Sequence, residues 1–188
     1  MRHAPARPPF RSLAVLVATG VLTAVAGGPG GLAWAAVAPR ALVVVTGRGA
    51  ADVINPETPA FIAADGWFCV IGLVGGLLCG LAAYPAAVRR RGALAAAAVI
   101  AGAFGASLAA WWIGHSIGLS GFRAGLVAGH AGAVLHAPLT LRAHSALVSW
   151  PFGAALGVVA AELVTGRGHR RRQPAAAAGS QRAEAGSR

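Results

Sequence analysis

The residues of this sequence that suit metal binding or acid–base chemistry are one aspartate and several histidines. Imidazole nitrogens and carboxylate oxygens are ordinary zinc ligands, and zinc sites show close spacings such as HxxxH or HExxH. No such spacing occurs here, even with His115 included. We therefore interpret these side chains, together with one arginine, as a candidate polar site without a metal, a cofactor or a catalytic role: Asp65, His130, His136, Arg142 and His144.

No other motif indicates an enzyme. Asp65 and Gly66 precede an apolar run, which is typical of a helix N-cap. Cys69 and Cys79 lie about 15 Å apart along one predicted helix, so they cannot form a disulfide with each other. The sequence has no CxxC pair, phosphate-binding loop, nucleophile elbow or kinase motif. We predict that the chain is not an enzyme.

The apolar runs around these residues predict membrane-spanning helices. The chain of 188 residues is 56% hydrophobic and only 11% charged, which excludes both an ordinary soluble domain and a disordered chain. Each of four runs approaches the ~20 residues that cross a hydrocarbon core as a helix, and none alternates as a barrel strand does. The predicted fold is an all-α transmembrane four-helix bundle, with helices over 12–37, 66–84, 93–113 and 143–164.

The first run admits two interpretations. Its basic start, its apolar stretch and the small residues before Gly27 resemble a cleavable signal peptide over residues 1–26. Apolar residues continue to Val37, however, which favours a retained helix that is bent at Pro29 and weakened by neighbouring glycines. Both interpretations place the segment after Pro39 outside the cell.

Arginine placement predicts the orientation of the helices. With the N-terminus inside, the cytoplasmic segments 1–11, 85–92 and 165–188 carry twelve of the 16 basic residues. This bias predicts a multi-pass plasma-membrane protein with both termini cytoplasmic. Because the arginines flank apolar runs, they indicate lipid contact and exclude nucleic acid as the partner. The residues expected to anchor this topology and to contact anionic headgroups are Arg89, Arg90, Arg91, Arg170, Arg171 and Arg172.

Two loops on the opposite side predict a small β-containing cap. In external loop 1, residues 38–65, two β-rich runs flank a glycine turn and predict a hairpin. External loop 2, residues 114–142, predicts a short helix and then an edge strand over 134–142, because Pro138 excludes a central strand. The C-terminal tail, residues 165–188, has no face to bury and is predicted to be disordered. The tryptophans expected at this membrane interface are Trp67, Trp111, Trp112 and Trp150.

Glycines spaced by four residues predict where the helices pack. The second helix carries Gly72, Gly76 and Gly80 on one side, where another backbone can approach closely. We expect this glycine face to pack against another helix of the same bundle. The alternative is that it mediates self-association into a homo-oligomer. Near the inner edge of the membrane, Glu162 is expected to pair with Arg167 or with the arginine cluster at 89–91.

Two stretches of the sequence resemble a known family. They are AADGWF at 63–68, ahead of the glycine-rich helix, and HAPLTLRA at 136–143, which continues through ALVSWPF at 146–152. With the order of four helices and two outer loops, they resemble a family of uncharacterised actinobacterial integral membrane proteins across residues 12–165. The resemblance implies a four-helix membrane protein with an external β-containing cap, and it implies no activity.

These observations predict a non-catalytic accessory or scaffold protein, acting through its external cap on an unidentified membrane or envelope protein. No carboxylate, histidine or arginine lies near the centre of a predicted helix, which disfavours a secondary transporter. The alternative is an oligomeric channel or transporter subunit whose glycine faces assemble a pore. A second alternative is an envelope enzyme acting through Asp65 and the loop histidines.

Overall fold

The computed structural model is mostly helical, with a small three-stranded sheet at one end. It describes residues 9–47, 50–55 and 59–165. Four stretches of helix in this part are long and apolar enough to cross a membrane: Leu13–Val37, Pro59–Arg91, Ala93–Ala128 and His144–Thr165. The prediction of four such helices with a small sheet is confirmed, whereas several predicted boundaries differ.

The first span consists of two helices, α1 over Pro9–Val25 and α2 over Gly27–Val37. The sequence predicted a bend at Pro29, but the break lies one turn earlier, at Ala26, whose N–H donates to Thr23 O at 3.2 Å. Proline has no N–H to donate to the carbonyl four residues before it, and its ring crowds that carbonyl. The disturbance from Pro29 therefore ends α1 at Val25.

The second span begins earlier and ends later than predicted. Helix α3 covers Pro59–Ala83, so the predicted loop 38–65 loses its last residues to the helix. Proline is favoured in a first turn, where its missing N–H has no partner to lose. A π-helical turn, Tyr84–Val88, and a final turn, Arg89–Arg91, continue the helix, so the predicted arginine loop 85–92 is also helical. The wider π spacing accommodates Pro85, and the chain turns only at Gly92, where φ is +63°.

The third and fourth spans also differ from prediction at their ends. Helix α4 covers Ala93–Ser116, and a short helix α5, Leu119–Ala128, follows the left-handed Gly118. The fourth span opens with a 3₁₀ turn, His144–Val148, before the α-helical residues 149–165, here α6. Because Pro151 cannot donate to a carbonyl one turn earlier, the regular α-helical pattern begins only after this turn.

The sheet is built from both predicted loops. Strand β1, Leu42–Gly47, lies between β2, Ala50–Val53, and β3, Val134–His136, and both pairings are antiparallel. The hairpin and the edge strand were predicted, although β3 ends at His136, before Pro138. We call this end of the bundle the sheet end, and the opposite end, which carries Arg89–Arg91, the arginine end.

The spans pair in parallel through glycines. The first span runs alongside α4, where a Cβ added to Gly31 would lie 2.6 Å from Ala110 O. Helix α3 runs alongside α6 in the same way, and a Cβ on Gly76 would lie 2.8 Å from the Ala154 nitrogen. In lipid, this close backbone approach replaces the hydrophobic effect as the source of association. The glycines of the α3–α6 contact are Gly72, Gly76, Gly80, Gly153 and Gly157.

We expect Gly76→Ala to lower the free energy of unfolding by about 1–3 kcal/mol, because the new methyl group would overlap the α6 backbone at Trp150 and Ala154. Thermal unfolding of the purified protein in detergent measures this loss. Gly66→Ala is the matched control, since Gly66 lies on the same helix with nothing within 4 Å of an added Cβ. The control is expected to keep or slightly raise stability. Equal losses in the two variants would contradict the packing argument.

Candidate functional site

Asp65 joins α3 to the backbone that leads into the fourth span at the sheet end. Its Oδ1 accepts the Arg142 N–H at 3.2 Å, and its Oδ2 accepts the Ala143 N–H at 2.8 Å. The sequence predicted that Asp65 would cap its own helix, but Asp65 lies six residues after the start of α3. It instead accepts hydrogen bonds from the chain entering the 3₁₀ turn that begins at His144. The prediction that Asp65 caps the start of its own helix is therefore wrong.

Arg142 is held by the same face of α3. The centre of its guanidinium lies 3.6 Å from the centroid of the Phe61 ring, which is a cation–π contact. Phe61 and Asp65 are four residues apart and therefore neighbours on the helix surface. One face of α3 thus binds the side chain of Arg142 through Phe61 and its backbone through Asp65.

Trp34 connects the first three spans beneath the sheet, a role that the sequence analysis missed. Its side chain is fully buried, and its Nε1–H donates to Ala64 O at 2.8 Å. The Trp34 ring meets the Phe68 ring edge-on, with centroids 5.2 Å apart. Gly114 of α4 lies against the six-membered ring of the same indole. A lone tryptophan in an alanine-rich run carries no spacing signal, so only its size pointed to this role.

The four histidines of the described residues do not converge. His115 contacts Leu139 O through Nδ1 at 2.6 Å and stacks on Trp111. His130, His136 and His144 are exposed on three different segments. Within residues 9–47, 50–55 and 59–165, no three His, Cys, Asp or Glu side chains are placed to hold a metal ion. Of the five residues of the candidate polar site, the structure joins only Asp65 and Arg142.

One face of the sheet presents apolar side chains to the outside. Strand alternation buries Val43 and Val45 and leaves Leu42 and Val44 on the opposite face. The register places Val134 beside Val44, and Ile54 follows β2 next to Leu42. Exposed fractions of these side chains reach 45% for Leu42, 54% for Ile54 and 55% for Val134. We call Leu42, Val44, Ile54 and Val134 the sheet face, which Asp52 and His136 border.

A recess of about 230 Å³ opens beside the sheet face. His136 belongs to its wall, as does Arg40, whose Nη2 donates to Ala35 O at 3.3 Å. Gly118 and Gly121 of the α5 start leave room for these side chains. The recess therefore combines an arginine, a histidine and backbone, a combination suited to an acidic group.

Polar groups inside the spans are few. Thr19 and Thr23 donate to carbonyls four residues earlier, Val15 O at 2.7 Å and Thr19 O at 2.8 Å. Three buried polar atoms have no hydrogen-bond partner among the residues that the structure describes: Ser107 Oγ, Ser149 Oγ and Trp150 Nε1. Trp150 was expected at the membrane interface, but it is only 2% exposed and its ring lies between Gly30 and Gly75.

Only some of the arginines that the sequence predicts at the inner face of the membrane belong to the described residues. Arg89, Arg90 and Arg91 form the last turn of the second span. Glu162 is exposed and forms no ion pair with them in the described ranges. Arg167, the cluster Arg170–Arg172 and the predicted tail beyond Thr165 lie outside the described residues, whereas Thr165 itself is helical.

Comparison with known proteins adds no family or function. No protein-family model, no curated protein and no solved structure matches this chain. The resemblance to an actinobacterial membrane family therefore stays a prediction, and function has to be argued from the geometry.

We expect Asp65→Asn to loosen the sheet end while leaving the spans intact, because an amide keeps one acceptor oxygen and turns an NH₂ group toward the second backbone donor. Losing one such bond costs about 1 kcal/mol and speeds exchange of the Arg142 and Ala143 amides about fivefold. Hydrogen exchange measured by mass spectrometry checks this. Asp52→Asn, at an exposed carboxylate on β2, is the control and should leave that segment unchanged. Unaltered exchange in the Asp65 variant would show that these bonds do not hold the cap.

Proposed function

We propose that this chain is a non-catalytic, multi-pass plasma-membrane protein that binds a protein partner through its sheet face. In this proposal the sheet end lies outside the cell and both termini lie in the cytoplasm. The arginine distribution supports that orientation, with twelve of 16 basic residues on the predicted inner segments. The partner is a membrane or envelope protein, and the chain acts as its accessory or scaffold.

The observation that carries the proposal is the exposure of the sheet face. Leu42, Ile54 and Val134 are each about half exposed, although Leu42 adjoins Ile54 and Val134 adjoins Val44 across the strands. A contiguous apolar patch with a polar border is typical of a docking surface. Charged or polar neighbours, Asp52 and His136, suit a protein partner better than lipid tails. The adjoining recess with Arg40 would accept an acidic side chain of that partner.

The sheet face is also held rigidly, which a docking surface requires. Asp65 binds the second loop to α3, and Trp34 binds α2 to α3 beneath the hairpin. His115 binds the segment after β3 through Leu139 O. A surface positioned in this way loses little conformational entropy when a partner binds.

The two alternatives have less support. Both carboxylate oxygens of Asp65 accept backbone N–H groups, and no histidine of the described residues hydrogen-bonds to this carboxylate, so a catalytic Asp–His pair has no support there. The glycine faces that would assemble a pore from several copies are occupied within the chain, with Gly72, Gly76 and Gly80 against α6. A scaffold needs neither a free base nor an unpaired glycine face.

We expect a photo-crosslinking amino acid at Val134 to form one discrete adduct with a partner protein in growing cells. The same residue at Val127 is the control, because Val127 is 81% exposed at the same end but lies on α5, which packs behind the sheet. It should not form that adduct.

The companion variant Leu42→Glu places a charge in the sheet face. Since Leu42 is 45% exposed, stability should fall by only about 1 kcal/mol, while the Val134 adduct is lost. Adduct mass on a denaturing gel, with partner identification by mass spectrometry, gives the readout. An adduct that forms equally from Val127, or that survives Leu42→Glu, would refute docking on this face. An adduct at twice the mass of the chain would instead identify a second copy as the partner.

A further inference from the structure

A groove runs along the membrane-spanning part between the first span and α3. It consists of two cavities, of about 470 and 250 Å³, that share Cys79 in their walls. Pro29 and Trp150 line the larger cavity, and Ala82 and Ala86 line the smaller one. The kink between α1 and α2 opens the larger cavity, because Ala26, Pro29 and Gly30 leave space beside α3. We call the two cavities together the groove.

The groove is open to the lipid side and longer than one leaflet. Leu22, Val74 and Leu78 in its walls are 73%, 54% and 60% exposed. On α3 and its extension the lining runs from Val70 to Ala87, which at 1.5 Å per residue is about 25 Å. Half of a hydrocarbon core is only about 15 Å thick. An ordinary acyl tail from one leaflet would therefore leave much of the groove empty.

The lower end of the groove meets a concentrated positive charge. The turn Arg89–Arg91 begins two residues after Ala87, the last lining residue. In the ranges covered by the structure, no carboxylate forms an ion pair with these arginines. Basic clusters at the ends of spanning helices bind phosphate headgroups, and guanidinium groups suit phosphate oxygens in particular. The charge at this end thus complements an anionic headgroup.

The upper end holds a polar group without a partner. Trp150 is 2% exposed and lines the larger cavity, yet its Nε1–H forms no hydrogen bond within the described part of the chain. The Cys79 sulfur, a weak acceptor, lies near the indole and interacts with it, although no hydrogen bond of ordinary geometry forms. The nitrogen has almost no accessible surface, so an occupant of the groove does not reach it. The Trp150 ring, which lies between Gly30 and Gly75, therefore bounds the groove at this level.

We propose that the groove binds a polyprenyl phosphate, with the phosphate on Arg89–Arg91 and the isoprenoid chain extending past Cys79 to Trp150. The charge selects the phosphate, and the length of the groove selects a chain longer than one leaflet. This site lies at the arginine end and in the membrane core, so it does not depend on partner binding by the sheet face.

The test measures binding of three probes to the purified full chain in detergent, by native mass spectrometry and by the shift in thermal unfolding. The probes are a long-chain polyprenyl monophosphate, a short-chain prenyl monophosphate and phosphatidylglycerol. We expect the first to bind about tenfold or more tightly than the other two. Equal affinity for all three would overturn the proposal, because the arginines would then form only a general anionic surface.

Two pairs of exposed alanines provide a matched comparison. Ala82→Leu/Ala86→Leu fills the smaller cavity and should weaken binding about tenfold or more. Ala97→Leu/Ala101→Leu adds the same side chains with the same spacing to α4, away from the groove, and should leave binding unchanged. Unfolding temperatures without lipid show that both variants fold. Unaltered binding in the first variant, or equal loss in both, would overturn the site.

Two further variants separate the headgroup from the chain. Replacing Arg89, Arg90 and Arg91 by Gln should weaken binding of the polyprenyl phosphate about tenfold or more, while the uncharged polyprenol should be unaffected. Trp150→Phe keeps an aromatic ring and removes only an N–H that the occupant does not reach, so it should leave binding of the polyprenyl phosphate unchanged. A Gln variant that binds the phosphate as tightly as the natural chain would overturn the headgroup assignment. A loss in Trp150→Phe as large as the loss in the Gln variant would also overturn it.

Discussion

Close backbone contact between parallel helices is the constraint on which the rest of this structure depends. The α3 carbonyls of Leu73 and Leu77 meet Gly153 and Gly157 of α6, while α4 approaches the first span in the same manner. Lipid tails are as apolar as the side chains, so such contacts decide which helices adjoin. The large side chains are consequently excluded from these interfaces and collect at their margins, where Trp34 and Trp150 fill the spaces between helix pairs.

The sheet end follows from that arrangement. Once α3 lies beside α6, the start of the fourth span comes next to Asp65, which accepts the two backbone N–H groups there. The loop before it is then positioned for β3 to reach β1, while α5 covers the buried face, with Gly129 near Val45. The cap is therefore coupled to the membrane part by backbone hydrogen bonds and packing. Its exposed face keeps a fixed geometry as a result.

Much of this architecture could be predicted from the sequence, and the failures share a physical cause. Apolar length predicted four helices, and strand alternation with Pro138 predicted a hairpin with an edge strand. Prolines moved the boundaries: Pro59 begins α3 early, Pro85 is carried in a π turn, and Pro29 ends α1 one turn upstream. The candidate polar site depended on long-range contacts, and residue spacing gave no signal that Asp65 would meet the chain at 142–143. Trp34 and the unpaired Trp150 were missed for the same reason.

The parallel pairing of alternate spans has a consequence for the order of assembly during synthesis. Each glycine interface joins a helix from the first half of the chain to one from the second, as Gly20 meets Gly102 and Gly80 meets Ala154. The first two spans enter the bilayer without either partner, so the glycines of the first span contact lipid until α4 arrives, and those of α3 until residues beyond 150 arrive. The bundle therefore closes in two steps, and a nascent chain stopped after the second span leaves the glycine faces of both its helices in contact with lipid.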